Sequence, residues 1–344
     1  MLTFLTDAAA PVEGTVVDQQ LFFAPEALEA ATGWTLKDVG LCRGPVCVPL
    51  RGIALQREHG IDLKRFAEVL GRRVVVDPDR GIAAMAVDPS IRAGALQDKV
   101  APEIVLPDLN GALRSLSEFR GSKTLVVTFA TWCGCRYDLP GWQALEDELR
   151  DIGFRVLAIA FDDDPEEVRP FTDGITFPVL LDRHHVVSEA YAMSNVPTVV
   201  WIDEDGRVVL PNSEAFGTDL FADFTGVKSA PHLDAVRAWV REGVLPEVAT
   251  SVVEDFTEGE IDARLHFRIG VELRDRGDLE GASKHFARAS ELAPFDWTVR
   301  RAAMPLTGRD PFGQEFLDLY DEWKANGAPF HGIASVDEVR HLAE

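Results

Sequence analysis

Four cysteines in two close pairs are the residues of this sequence whose types and spacing suit chemistry. Cys42 and Cys47 stand five positions apart, and Cys133 and Cys135 are separated by a single glycine. Two thiols this close can form and break a disulfide, because the second thiolate can attack a mixed disulfide held by the first. Zinc takes four donors, and neither pair has histidines close by. The spacing therefore indicates thiol–disulfide chemistry, and we expect no metal and no other cofactor.

The second pair stands where a predicted strand gives way to a predicted helix. The apolar run Thr124–Phe129 is typical of a buried parallel strand, and a helix is expected over Leu139–Ile152. Backbone N–H groups at the start of a helix stabilise an anion, which lowers a thiol pKa and favours the reactive thiolate. We therefore assign Cys133 and Cys135 as the redox-active centre, with Cys133 as the nucleophile. The alternative is that both are small buried hydrophobes.

The elements around this pair alternate between strand and helix. Further strands are predicted over Arg155–Phe161 and Pro178–Leu181, with a hairpin over Thr198–Ile202 and Arg207–Leu210 and a closing helix over His232–Glu242. Such alternation predicts an α/β domain, to which we assign residues 96–246. The long stretch Pro211–Ala230 before the last helix receives no role from the sequence.

Two smaller regions flank this domain. Residues 1–95 are predicted as a small α+β domain, with 1–14 as a loose leader and 88–99 as a linker. Residues 247–344 are predicted to be helical. Within them, small and large residues follow the spacing of a tetratricopeptide helix hairpin, namely Gly270, Leu273, Ala282, Phe286, Ala289 and Pro294. One such unit either docks on a neighbouring domain or offers a surface to a protein partner.

Composition and charge exclude several classes of partner. The 344 residues carry 34 basic and 57 acidic side chains, a formal net charge of −23, which disfavours nucleic acids and anionic membranes. Apolar runs are far shorter than the roughly twenty residues of a membrane span. The N-terminus lacks the basic stretch of a secretory signal. We therefore expect a cytoplasmic protein whose thiols meet a reducing environment.

Several separated segments resemble the AhpC/TSA and ResA/TlpA thioredoxin-like proteins. The matching segments are residues 101–111, residues 115–121, Pro140 in the active-site helix, the loop Asn195–Thr198 and the hairpin turn Asp203–Arg207. The resemblance covers about residues 100–245. It implies a central thioredoxin-like fold, a redoxin, between the two flanking regions.

The same resemblance implies roles for residues near the cysteines. It implies that Trp132 flanks the thiol, and that Val196 and Pro197 form a cis peptide that faces the dithiol and positions a substrate. It also implies that Asp138, three residues after Cys135, accepts the proton of that thiol as a general base. The alternatives are a core position for Trp132 and an exposed helix face for Asp138.

The cysteine motif departs from the usual pattern of the family. The usual Cys-x-x-Cys is here Cys-Gly-Cys, which resembles a ResA-like branch whose first cysteine is often selenocysteine and supports Cys133 as the attacking atom. Standard peroxiredoxins place threonine three and proline seven residues before their cysteine, where this chain has Ala130 and Val126. The sequence thus predicts a thiol–disulfide oxidoreductase that acts on a protein or a small-molecule thiol or disulfide.

The sequence is also compatible with two other functions. In an antioxidant thiol peroxidase, Cys133 would attack a peroxide and Cys135 would resolve the sulfenic acid. In a redox-sensing interaction protein, the dithiol would be a switch and the C-terminal helices would bind a protein partner.

The first cysteine pair is predicted to be a second dithiol that exchanges with the central one. The turn Gly44-Pro45 lies between Cys42 and Cys47 and can bring their Cα atoms within disulfide distance. The alternatives are a structural link between two short strands, a partial metal site, or two inert thiols.

Overall fold

The structure is a computed structural model that describes residues 2–6 and 9–333 and forms two compact units. The first unit takes residues 1–90 and 257–293, and the second takes residues 91–256 and 294–344. This division differs from the three predicted ranges 1–95, 96–246 and 247–344, because the helical hairpin belongs to the first unit and the chain after it to the second. Residues 334–344 of the predicted helical region lie outside the described residues.

The bounds of the strands and helices follow the chain. The strands are β1 Leu2–Leu5, β2 Ala9–Val12, β3 Gly14–Val17, β4 Gln20–Phe23, β5 Thr35–Lys37, β6 Gly40–Arg43, β7 Val46–Val48, β8 Gln56–Arg57, β9 Gly60–Asp62, β10 Val74–Asp77, β11 Ile82–Met85, β12 Val105–Pro107, β13 Leu113–Ser115, β14 Lys123–Phe129, β15 Phe154–Ala160, β16 Val179–Leu181, β17 Val199–Ile202 and β18 Val208–Ser213. The helices are α1 Pro25–Thr32, α2 Leu63–Val69, α3 Pro89–Leu96, α4 Leu139–Leu149, α5 Pro165–Val168, α6 Val186–Ala190, α7 Ala222–Thr225, α8 Ser229–Glu242, α9 Glu258–Asp275, α10 Leu279–Leu292, α11 Ala303–Leu306 and α12 Gln314–Ala325.

The first unit is built from small sheets and the helical hairpin α9–α10. One sheet has the order β10-β11-β1-β2, and β1 runs parallel to β11 with Phe4 opposite Ala83. Phe4 is fully buried, so the prediction of a loose leader over residues 1–14 is wrong for this strand. Burial of its apolar side chains stabilises this strand in the core. An apolar run of only four residues is too short to predict that burial from the sequence.

The hairpin α9–α10 packs through the small-and-large positions of the tetratricopeptide pattern. A Cβ at Gly270 would lie 2.7 Å from the Phe286 ring, so only glycine permits this approach of the two helices. Helix α9 also packs on β10 and β11, which explains why the hairpin belongs to the first unit.

The second unit has a central five-stranded sheet of order β16-β15-β14-β17-β18. Strands β14, β15 and β16 are parallel, whereas β17 and β18 join antiparallel at the other edge. Strand β14 is buried from Thr124 to Phe129, as expected when both faces of a sheet are covered. Helix α4 follows β14 and packs on β15. This arrangement confirms the predicted α/β, thioredoxin-like fold.

The predicted linker over residues 88–99 is wrong, because this segment contains helix α3. Its Arg92 is buried and pairs with Glu189 at 3.4 Å and with Asp255 at 2.8 Å, while Leu96 packs into the core. An arginine can be buried when acidic partners offset its charge. Because the buried side of this helix contains such an arginine, the sequence lacks the continuous apolar face that predicts a helix.

Across residues 2–6 and 9–333, no helix combines the length and the apolar character that a bilayer crossing requires.

Candidate active site

Cys133 and Cys135 lie at the carboxyl end of β14, as the sequence predicts, and are joined as a disulfide. A 3₁₀ turn over Gly134–Asp138 separates the strand from α4, so the pair stands in a tight turn before the α-helix. The Cys133 sulfur lies 3.3 Å from the backbone N–H of Cys135, a donor that would stabilise a Cys133 thiolate. Both residues are buried, with exposed fractions of 5% and 2%.

The loop before β17 faces the first cysteine. Val196 and Pro197 are joined by a cis peptide bond, which confirms the prediction. The Val196 carbonyl oxygen lies 3.5 Å from the Cys133 sulfur. The Val196 N–H donates to the side-chain oxygen of Asn195 at 2.8 Å. The carbonyl edge of this loop is therefore placed beside the reacting atom.

Trp132 is a buried residue of the turn. Its indole N–H donates to the Phe161 carbonyl at 3.0 Å, and its ring does not line the cavity described below. This placement favours the core interpretation, while a role in positioning substrate stays a prediction.

Asp138 is buried, so the alternative of an exposed helix-face aspartate is wrong. Its Oδ1 accepts hydrogen bonds from the Thr218 N–H at 2.9 Å and from the Thr218 hydroxyl at 2.8 Å. Its Oδ2 is buried and meets no hydrogen-bond donor within the described part of the chain. Burial raises the pKa of Asp138 to about 6, against the opposing effect of the Thr218 hydrogen bonds. The carboxyl group can thus exchange a proton near neutral pH.

A close backbone approach holds Thr218 against Asp138. A Cβ at Gly141 in α4 would collide with the carbonyl oxygen of Gly217, and a Cβ at Gly217 would lie 2.5 Å from the Asp138 carbonyl oxygen. The two glycines therefore let the segment after β18 lie directly on the start of α4. Gly134, between the two cysteines, also permits a close approach, because a Cβ at this position would lie 2.7 Å from the Phe221 ring.

Asp162 is a second buried carboxylate near the turn, which the sequence analysis missed. Its Oδ1 accepts from the Thr131 N–H at 3.0 Å and from the Thr131 hydroxyl at 2.5 Å. Burial raises its pKa to about 7. The available signal was its position just after β15, because the carboxyl ends of neighbouring parallel strands meet at one edge of a sheet.

A cavity of about 300 Å³, here called the aromatic pocket, opens beside the disulfide. Cys133, Cys135, Val196 and Pro197 form one side of it. The other side is largely aromatic and includes Phe221, Phe224, Trp297, Phe312, Phe316 and Tyr320. No motif in the sequence predicted this pocket, because its aromatic side comes from the unassigned stretch 211–230 and from residues after 293.

Cys42 and Cys47 are directly opposite one another on the neighbouring strands β6 and β7 and form a disulfide. Their Cα atoms are 4.1 Å apart. Cys42 is buried and Cys47 is exposed. The turn thus brings the two thiols together as expected, whereas exchange with the central pair stays a prediction.

Within the described ranges, no group of three or more His, Cys, Asp or Glu side chains is arranged to hold a metal ion.

Comparison with known sequences supports the assignment of the central domain. The sequence pattern of the AhpC/TSA family matches residues 98–210. The thiol-disulfide oxidoreductase ResA of Geobacillus thermodenitrificans is 32% identical over 111 residues, 31% of this chain and 64% of ResA. The thioredoxin-like protein YneN of Bacillus subtilis is 33% identical over 121 residues, 33% of this chain and 70% of YneN. The solved structure of a thiol:disulfide interchange protein from Chlorobium tepidum aligns with this chain at 25% sequence identity and a TM-score of 0.30. The alignment covers 32% of this chain and 81% of the chain of that structure.

The parallel strands, the cysteine turn and the cis-proline loop define a thioredoxin-fold protein with a cysteine pair at the usual edge of its sheet. The similarity to YneN places it more narrowly, and the chain belongs to the AhpC/TSA family of thioredoxin-like proteins. It spans 64% of the length of the ResA relative, and its flanking regions lie outside that match.

Proposed function

We propose that this protein is a thiol–disulfide oxidoreductase in which Cys133 and Cys135 exchange with a disulfide or thiol of the substrate. The observation that carries the proposal is the Cys133–Cys135 disulfide placed against the cis-proline loop, with the Cys133 sulfur 3.5 Å from the Val196 carbonyl. The ResA relative, named a thiol-disulfide oxidoreductase, supports the same reaction.

The reaction transfers two electrons in two exchanges. The Cys133 thiolate attacks one sulfur of a substrate disulfide, forms a mixed disulfide and releases the other substrate sulfur as a thiolate. Cys135 loses its proton, and its thiolate attacks the Cys133 sulfur. This step closes the Cys133–Cys135 disulfide and releases the second substrate thiolate. A thiol reductant restores the dithiol by the same steps in reverse.

Asp138 is the proton acceptor for Cys135 in this proposal. It is three residues further along the turn, is buried, and has a pKa raised to about 6 by that burial. A carboxylate in this state can take the thiol proton as the exchange proceeds. Because only the ionised carboxylate accepts a proton, the rate of closure should rise as the pH increases through about 6.

The substitution Asp138→Asn tests this assignment through the pH dependence of the rate. Asn cannot accept a proton, so we expect the rise near pH 6 to disappear and the rate at pH 7 to fall by about 10-fold to 100-fold. Stopped-flow measurement of disulfide reduction between pH 5 and 9 gives both values. The exposed Asp151→Asn serves as the matched control and should keep the wild-type profile. An unchanged profile in Asp138→Asn would remove Asp138 from the mechanism.

An assay with two oxidants separates the three functions that the sequence leaves open. We expect the pre-reduced protein to reduce dithiodipyridine catalytically with a thiol reductant present, and to consume hydrogen peroxide at least about tenfold more slowly. Faster consumption of peroxide would establish the peroxidase instead. A single oxidation for each chain, with no turnover of either oxidant, would point to the redox-sensing interaction protein.

The proposal also includes the cellular location and the partners that the sequence predicts. It places the protein in the cytoplasm, with a thiol- or disulfide-containing protein or a small-molecule thiol as partner, and with the helices α9 and α10 as a surface for a protein partner. It also includes exchange of electrons between Cys42/Cys47 and the central pair.

A further inference from the structure

The aromatic side of the pocket is built from parts of the second unit that follow the last strand of its sheet. Phe221 and Phe224 come from the segment between β18 and α8, while Phe312 and Phe316 come from the chain around the start of α12. The cavity of about 300 Å³ falls at the small end of the range for pockets that enclose small molecules.

The position of the sulfurs favours a small ligand over a folded protein. Cys133 and Cys135 are 5% and 2% exposed, yet both line the aromatic pocket. A folded protein that presents a disulfide would have to bring its chain against the aromatic side of the pocket to reach these sulfurs. A small molecule can fill the pocket and bring its own sulfur to Cys133.

Arg301 places a buried positive charge in the wall of the pocket. Its guanidinium group donates to the Pro311 carbonyl at 3.1 and 3.0 Å and stacks 3.6 Å from the centre of the Phe316 ring. Arg301 is 8% exposed, and no carboxylate pairs with it in the part of the chain that the structure describes. A buried charge is costly unless an opposite charge offsets it.

A second arginine adds to this charge. The guanidinium of Arg136 lies 4.7 Å from the centre of the Phe312 ring, and that of Arg301 lies 5.3 Å from the same centre. Burial and the charge of Arg136 lower the pKa of Arg301. The acid in the pocket wall, Glu214, accepts a hydrogen bond from Asn195 at 3.3 Å. The arginine side of the pocket therefore favours an anion.

We propose that the aromatic pocket binds a small carboxylic acid with an aromatic or similarly apolar body, whose carboxylate pairs with Arg301. We also infer that the substrate is such an acid, and that it carries the thiol or disulfide that exchanges with Cys133. This second part of the inference rests on the proposed function. The exchange follows the two steps given above, and the ion pair with Arg301 is unchanged through both of them.

Calorimetric titration of the oxidised full-length protein tests the binding without any turnover. Phenylpropanoate is the probe, and phenylpropanamide is the matched neutral compound. We expect the acid to bind at least about tenfold more tightly than the amide, because a hydrogen-bonded ion pair contributes more than a neutral hydrogen bond. Arg301→Gln should remove this preference. The exposed Arg309→Gln is the control and should retain it.

A second variant keeps the test decisive if Arg301→Gln does not fold. Leu317 lines the pocket and is 39% exposed, so Leu317→Glu adds a negative charge at a position that tolerates it. This variant should weaken the acid about tenfold and leave the amide unchanged. Equal affinity of the wild-type protein for acid and amide, or no binding of either, would overturn the inference.

Parallel assay of dithiodipyridine reduction separates this inference from the proposed function. Binding of the acid without any disulfide exchange would reject the oxidoreductase and support the pocket. Exchange without binding of the acid would reject the pocket and leave the oxidoreductase standing.

Discussion

Cys133→Ser is expected to lower the rate of disulfide reduction by about a thousandfold or more, whereas Cys135→Ser should complete the first exchange and then stop. The first substitution removes the nucleophile, and the second removes only the thiol that resolves the mixed disulfide. The different outcomes follow from the placement of Cys133 beside the Val196 carbonyl and the Cys135 N–H. Steady-state and single-turnover reduction of dithiodipyridine by pre-reduced protein measures both.

The double variant Cys42→Ser/Cys47→Ser is the control for this experiment. The two cysteines that it replaces belong to the first unit, and Cys133 and Cys135 are retained, so the pre-reduced variant should still complete one reduction for each chain at the wild-type rate. If Cys133→Ser kept more than about a tenth of the wild-type rate, another group would have to be the nucleophile.

Gly141→Ala is expected to lower the free energy of unfolding by about 3 kcal/mol, near the upper end of the usual cost of overpacking. A methyl group at this position would overlap the Gly217 carbonyl oxygen, and neither backbone can move without displacing Thr218 from Asp138. Urea denaturation at pH 7, followed by circular dichroism, measures the loss.

The matched control is Gly94→Ala in helix α3. Gly94 is also helical, and a Cβ there would meet nothing within 4 Å. Alanine has the higher helix propensity, so this variant should be neutral or up to about 1 kcal/mol more stable. Equal stability of Gly141→Ala and the wild type would show that the segment after β18 does not rest on α4.

The central domain was largely predictable because its signals are local. The apolar run before Cys133 gave β14, and the loop around Pro197 gave the cis peptide. The sequence did not predict which polar side chains of the site are buried. The motif placed Asp138 near the cysteines, but only the contact with Thr218, 80 residues away, shows that the carboxylate is buried.

Other parts depend on contacts between distant segments. Strand β1 is fixed by parallel pairing with β11, which follows it by about eighty residues. The aromatic pocket joins the cysteine turn to residues after 293, and Asp162 reaches the site only through the adjacent parallel strand β15. No pattern within a short window of sequence carries such information.

The most direct test of Cys133 as the nucleophile is to locate the adduct that Cys135→Ser forms with a substrate disulfide. The pre-reduced variant is mixed with dithiodipyridine, quenched with acid, digested and analysed by peptide mass spectrometry. We predict one thiopyridyl group on Cys133 and none on Cys42 or Cys47 within the time of a single turnover. An adduct on either of those two cysteines, with Cys133 unmodified, would contradict it.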